Sequence, residues 1–194
     1  RGKPAQGGEY FVANQRQKLE GNIVVARLLG MPYPGGAALD RAAKDGIETR
    51  YVLPHTKIAG NPLDMSFSGL KTAAVNLIHN AQQKGEALCV PDLCASFSAA
   101  VSEMLIPRAM AALELTGRKT LAVAGGVAAN SHIRADLTCE TAKRGVRLCM
   151  PPLSLCGDNA AMIGSQGYYE FLRGNIADQT LNAYATKSME GEKL

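Results

Sequence analysis

Residues 119–150, KTLAVAGGVAANSHIRADLTCETAKRGVRLCM, constrain this chain more than any other stretch. KTLAVAGG has the pattern of a buried strand that runs into two glycines, AANSHIRADLTCETAKRG that of a helix, and GVRLCM that of a second short strand. DNAAMIGSQGYYEFLRG follows as a final helix. Strand, glycine turn, helix, strand, helix predicts a parallel α/β unit, because parallel neighbours need a crossover and the helix supplies it. Ligands of such units sit beyond the carboxyl ends of the strands, where this turn lies. Gly125 and Gly126 carry no Cβ, so another molecule can approach their backbone closely. The amides at the helix start favour an anion or polar acceptor. Asn130 can donate and accept hydrogen bonds, as nucleoside recognition requires. The same residues also suit a tight turn with Asn130 or Ser131 as the helix cap.

Upstream the pattern is mostly helical. RGKPAQGGEYFVANQRQ reads as a flexible lead-in. LEGNIVVARLLG, with Leu19, Ile23, Ala26 and Leu28 near helical spacing, predicts a helix ending at Gly30. MPYPGG reads as a turn, AALDRAAKDG as a short helix closed by Gly46, and ETRYVLP as a brief strand, with an irregular stretch through AGNPLDM. A helix is predicted from Ser66 or Ser68 to Gly85, and another from Pro91 and Asp92 through ELTG. Leu93, Phe97, Val101, Met104 and Leu105 form the buried stripe of the second, and Pro107 is expected to kink or divide it. The organisation is a leader over 1–18, a mostly helical region over 19–118 and an α/β nucleotide-binding lobe over 119–194, weakly patterned after Gly174.

A net charge of +4 permits an anionic partner such as RNA or a nucleotide without requiring one. No run approaches the roughly 18 apolar residues of a membrane span, and no signal region opens the chain, so a cytoplasmic setting without membrane is expected. Five cysteines, with no paired CxxC, argue against a disulfide scaffold or zinc ribbon. His55, His79 and His132 show no HxxxH or HxH spacing, so no metal site is complete by motif. G-x-S-x-G, the kinase signature set, HExxH and GxxxxGK[ST] are absent.

Three more stretches carry polar groups in small-residue surroundings. In PPLSLCGDNAAMIG, Asp158 falls at the front of a helix, as a cap or as a ligand residue with room left by Ala160 and Ala161. In PYPGGAALD, Asp40 lies one turn into a helix, placed for a ribose hydroxyl or simply for solvent. In SFSGLKT, Ser66, Ser68 and Lys71 suit capping better than phosphate binding.

In this order, YPGGAALD, FSGLKTA, LAVAGGVAANSHIR and PPLSLCGDNAAMIG resemble the TsaD/Gcp family of tRNA adenosine threonylcarbamoyltransferases, once labelled O-sialoglycoprotein endopeptidases. The resemblance runs from about Leu19 to about Gly174. It implies an α/β fold of the actin/Hsp70/sugar-kinase (ASKHA) type, here mainly the second lobe plus a helical insert. It also implies transfer of threonylcarbamoyl from threonylcarbamoyl-AMP to the exocyclic amine of the tRNA adenosine beside the anticodon. One divalent metal ion, iron or zinc, is implied as cofactor. It would polarise the acyl carbon and hold the anionic leaving group. The implied partners are tRNA, threonylcarbamoyl-AMP, a paralogous subunit and an ATPase. Position by position, Asp158 resembles the metal ligand of the second lobe, and Asn130 a contact to the adenosine part. Gly36 and Asp40 resemble further substrate contacts, and Gly125 and Gly126 the turn under the nucleotide. No residue is assigned as a catalytic acid or base.

Two departures stand out. The family's HxxxH motif and upstream glycine-rich loop have no counterpart before Leu19, and Ile23 stands where the family usually carries a substrate-binding Asp. The expectation is a chain with most of the first lobe absent and no transferase activity alone. The alternative is a truncated, non-catalytic relative acting as a scaffold subunit. An absent lobe would also leave an apolar face bare and favour self-association.

Overall fold

The computed structural model describes residues 16–55 and 63–182, with side chains from residue 21 onward. Residues 1–15, 56–62 and 183–194, which include most of the expected leader, part of the irregular stretch and the end of the tail, lie outside the described residues. In chain order the elements are α1 (Arg16–Leu28), α2 (Gly35–Ala43), α3 (Ser68–Lys84), α4 (Val90–Thr116), β1 (Thr120–Ala122), α5 (Ser131–Lys143), β2 (Arg147–Cys149) and α6 (Ala160–Leu172). Short 3-10 turns at Gly126–Ala129 and Leu153–Leu155 follow β1 and β2. The strands pair in parallel, Thr120 opposite Arg147, Leu121 opposite Leu148 and Ala122 opposite Cys149, with α5 as the crossover. The strand–turn–helix–strand order holds, but the expected burial of the first strand does not: Thr120 and Ala122 are exposed and Leu121 is half-buried.

The chain divides into two compact units, Arg1–Gly157 and Asp158–Leu194. The core of the first is α4. All five residues of its predicted stripe are buried, but so is every residue from Asp92 to Ser102. Ala95, Ser96, Ser98, Ala99 and Ala100 are small enough for neighbouring elements to close over the other faces. α2 and α5 both pack on α4, while α1 packs on α2 and α3. Burying a Leu or Met fully stabilises by about 1.5–3 kcal/mol, and Leu93 and Met104 are both fully enclosed.

Four local expectations are corrected. Pro107 does not divide α4, because it and Glu103, whose carbonyl it leaves without an intrahelical donor, lie on the exposed face where water can serve. Arg108 Nη1 also donates to the Met104 carbonyl at 2.7 Å, bracing that turn. The double glycine is not part of the turn before α2 but opens the helix itself. A Cβ on Gly35 would stand 2.8 Å from Ala26 Cβ, so glycine there lets α1 and α2 meet. Ser68 does not cap α3; the Ser66 hydroxyl accepts from the Ser68 amide at 3.3 Å.

ETRYVLP forms no strand: the chain turns over residues 48–51, with the Arg50 amide donating to the Ile47 carbonyl at 3.2 Å, and side chains tie this turn to the start of α4. The Ile47 amide donates to Asp92 Oδ1 at 2.8 Å, the Tyr51 amide to Ser96 Oγ at 3.1 Å, and the Cys89 amide to the Tyr51 hydroxyl at 3.1 Å. The loop is thereby clamped on the start of α4. Cysteines 89, 94, 139, 149 and 156 are free, and burial pushes the Cys94 thiol up to about 11.

The second unit holds α6, a helix apolar around most of its circumference that buries no residue. Among the described residues no helix is long and apolar enough to cross a membrane.

The clamp generates two predictions. A Cβ on Gly46 would lie 2.1 Å from the Pro91 carbonyl oxygen and 2.8 Å from the Asp92 nitrogen. Gly46→Ala should therefore lift the loop and cost about 2–4 kcal/mol, read as a lower urea midpoint. The Asp92 carboxyl is held below the usual carboxylate range, chiefly by the Ile47 amide and then by the Cys89 thiol and the charge of Arg50, against the opposing effect of burial. Its contribution is present above the unfolded carboxylate's range and is lost as pH falls through the lower folded value. The urea midpoint of Asp92→Asn should be lower at neutral pH and fall less steeply with acid than that of the parent chain. A parallel acid limb would count against this role.

Candidate functional site

The carboxyl end of β1 leads into a turn that only these residues build easily. Gly125 has φ +87° and ψ 174°, a conformation open to glycine and strained for side-chain-bearing residues. Val127 and Ala128 are buried and anchor the 3-10 turn that follows. The Ala128 amide donates to the Gly125 carbonyl at 2.9 Å and the Asn130 amide to the Val127 carbonyl at 3.1 Å. Asn130 then caps α5, its Oδ1 accepting from the Ile133 amide at 3.0 Å. That leaves its side-chain NH2 as the group free for a ligand.

Asp40 reaches the same point from α2. Its Oδ1 accepts from both the amide and the hydroxyl of Ser131, at 2.8 and 2.9 Å, across 91 residues of sequence. It is half-buried rather than the solvated carboxylate that spacing alone allowed. Gly36, at i−4 from Asp40, lies on the same face of α2, and a Cβ built there would meet nothing within 4 Å. The first unit thus gathers Asp40, Asn130, Gly125 and Gly126 around the start of α5, with Gly36 one turn from Asp40.

Asp158 opens the second unit. It is exposed and does not cap α6; the cap is Asn159, whose Oδ1 accepts from the Met162 amide at 3.1 Å. Among the described residues no three His, Cys, Asp or Glu side chains converge, so these residues do not by themselves fit a metal ion.

Arg134 is the site residue that sequence reasoning passed over. From the first turn of α5 its Nη1 donates to the Ala128 carbonyl at 2.7 Å and its Nη2 to the Pro151 carbonyl at 3.1 Å. The signal was present, since a cation in the first turn of a helix runs against the helix dipole. His132 carries no catalytic triad. Asp136 accepts from Ser102 Oγ at 2.5 Å and pairs with His132 Nε2 at 3.3 Å, so the acid stands between hydroxyl and imidazole.

Comparison with known proteins identifies the family. A family model described as tRNA N6-adenosine threonylcarbamoyltransferase (TsaD) matches residues 5–165. The chain belongs to that family. Relatives named tRNA N6-adenosine threonylcarbamoyltransferase include one from Streptococcus equi subsp. zooepidemicus, 44% identical over 186 residues, or 94% of this chain and 54% of the relative. Another, from Synechococcus sp., is 45% identical over 166 residues, 86% of this chain and 45% of the relative. A third, from Moorella thermoacetica, is 43% identical over 159 residues, 82% and 46% of the two chains. The chain spans about half the length of the curated relatives it matches. Gly36, Asp40, Gly125, Gly126, Asn130 and Asp158 all lie within the threonylcarbamoyltransferase match.

If Asp40 fixes the start of α5 through Ser131, Asp40→Ala and Ser131→Ala should not be additive. A double-mutant cycle read by urea unfolding should give a coupling of about 1 kcal/mol, from the hydroxyl bond that both variants remove. Additive losses would mean that the contact carries no stability.

Proposed function

We propose that the chain forms the adenylate-binding side of an ASKHA-type threonylcarbamoyltransferase, which moves threonylcarbamoyl from threonylcarbamoyl-AMP to the exocyclic amine of the tRNA adenosine beside the anticodon. The observation that supports this reading is the meeting of Asp40, Asn130 and the Gly125–Gly126 turn at the start of α5, beyond the carboxyl end of a parallel strand. Gly125 and Gly126 let the nucleotide lie against backbone, and the Asn130 NH2 offers a donor to an adenine or ribose acceptor. Gly36 leaves open space on the face of α2 that carries Asp40, and Asp40 holds Ser131 in place. In the reaction the amine nitrogen bonds the carbamoyl carbon, the bond from that carbon to the phosphate oxygen breaks, and AMP leaves as the amine loses a proton. A mixed anhydride is already activated, so the demand on the protein is for positioning.

Asp158 is proposed as one ligand of the divalent ion, iron or zinc, that the family resemblance implies; the site is incomplete in this sequence, which carries no HxxxH motif. No step is derived through that ion. The partners proposed are tRNA, a paralogous subunit and an ATPase, in the cytoplasm. Ile23, 39% exposed, presents an aliphatic side chain where a substrate-binding carboxylate is expected; it cannot hydrogen-bond a ribose, so that contact is lost.

Calorimetry with adenosine monophosphate tests the site. Asn130→Asp keeps the cap acceptor and removes the NH2 donor, so its affinity should fall about tenfold, the worth of one hydrogen bond to a ligand. Absence of binding to the parent chain would overturn the adenylate reading and leave that of a scaffold subunit. In a transfer assay with threonylcarbamoyl-AMP and unmodified tRNA, this chain alone should give no product. Turnover would refute that expectation.

A further inference from the structure

Two loops leave the carboxyl ends of the paired strands, residues 123–130 after β1 and residues 151–157 after β2. One side chain is bonded to both. Arg134 donates from Nη1 to the Ala128 carbonyl in the first loop and from Nη2 to the Pro151 carbonyl in the second. The same Nη1 lies 3.9 Å from Cys156 Sγ, and that buried thiol is itself 3.5 Å from the Pro152 carbonyl. A guanidinium suits this task because its donors form a rigid planar fork, whereas an ammonium is a single point. Among the described residues no carboxylate forms an ion pair with Arg134, and the Asp40 carboxylate reaches the start of the same helix at Ser131.

We propose that Arg134 is a positioning residue that locks the two carboxyl-end loops at the spacing adenylate binding requires. The proposal rests on the adenylate reading for its purpose, but not for its geometry. Arg134 acts through the loops: it fixes the Ala128 carbonyl two residues before Asn130, and it fixes the start of the loop that leads in sequence to Asp158.

Amide hydrogen exchange on the ligand-free chain tests the lock. The reporters are the amides of Ala128 and Asn130 in one loop and of Leu155 and Cys156 in the other, all hydrogen-bonded within their own turns. In Arg134→Lys and Arg134→Ala these amides should exchange about tenfold faster in both loops together, while α4 keeps its protection. Unchanged exchange in either loop would overturn the proposal. Calorimetry with adenosine monophosphate tests the purpose. Affinity should fall about tenfold in Arg134→Ala, and guanidinium ion at non-denaturing concentration should restore part of it while leaving the parent chain unaffected. A loss that guanidinium does not relieve, with α4 still protected, would show a general structural role instead and sink the positioning claim. If the parent chain binds no adenosine monophosphate, the adenylate reading fails and the exchange measurement still decides the lock. Should Arg134→Ala fail to fold, Arg134→Lys carries both measurements, with the same roughly tenfold rise in exchange and roughly tenfold fall in affinity expected, because one ammonium cannot hold both carbonyls.

Discussion

A helix buried without a break from Asp92 to Ser102 has to be enclosed on every side, and that enclosure sets the place of the other elements in the first unit. α2 and α5 lie against it, and the 46–51 loop closes over its start. The polar side chains caught inside are nearly all engaged. Asp92 holds the Ile47 amide, Ser96 the Tyr51 amide, and Ser102 donates to Asp136. Ser98 is the exception: its Oγ is buried without a partner, at a cost of about 1–3 kcal/mol that nothing in the structure explains.

Because α2 and α5 share α4 as a support, Asp40 meets Ser131 across 91 residues. This changes the chemistry available at the start of α5. The amides there do not form an open anion hole, since Asp40 takes that of Ser131 and Asn130 takes that of Ile133. What remains for a ligand is exposed glycine backbone and one carboxamide NH2. Such a surface offers hydrogen bonds to a polar molecule.

The parts of this fold that were legible in the sequence are the local ones. Strand, glycine turn and helix follow from periods and caps within a few residues, and the buried stripe of α4 follows from 3.6-residue spacing. The parts that were not legible depend on distant partners. ETRYVLP looks like a strand until Ser96 takes the Tyr51 amide and the chain turns over residues 48–51. Asp40 looks solvated until Ser131 arrives. The choice between Asp158 and Asn159 as the cap of α6 turns on one residue of register, finer than pattern reading resolves. Arg134 escaped notice because a lone arginine in a helix is unremarkable until its two acceptors, Ala128 and Pro151, are brought to it by strand pairing.

The same dependence bears on what kind of reaction the first unit suits. Its hydroxyl, carboxylate and imidazole nearest to a triad, Ser102, Asp136 and His132, stand in an order that gives the serine no base. The glycine turn, by contrast, is over-determined: internal turn bonds, the Asn130 cap, the Asp40 contact and the Arg134 fork all restrain the same few residues. Restraint of that kind contributes to a reaction by removing the freedom of bound groups before they meet. For the mixed-anhydride donor proposed above, what these residues would contribute is positioning rather than a covalent intermediate. The constraint that begins with the burial of α4 thus ends, through α2 and α5, in a turn built to hold rather than to react.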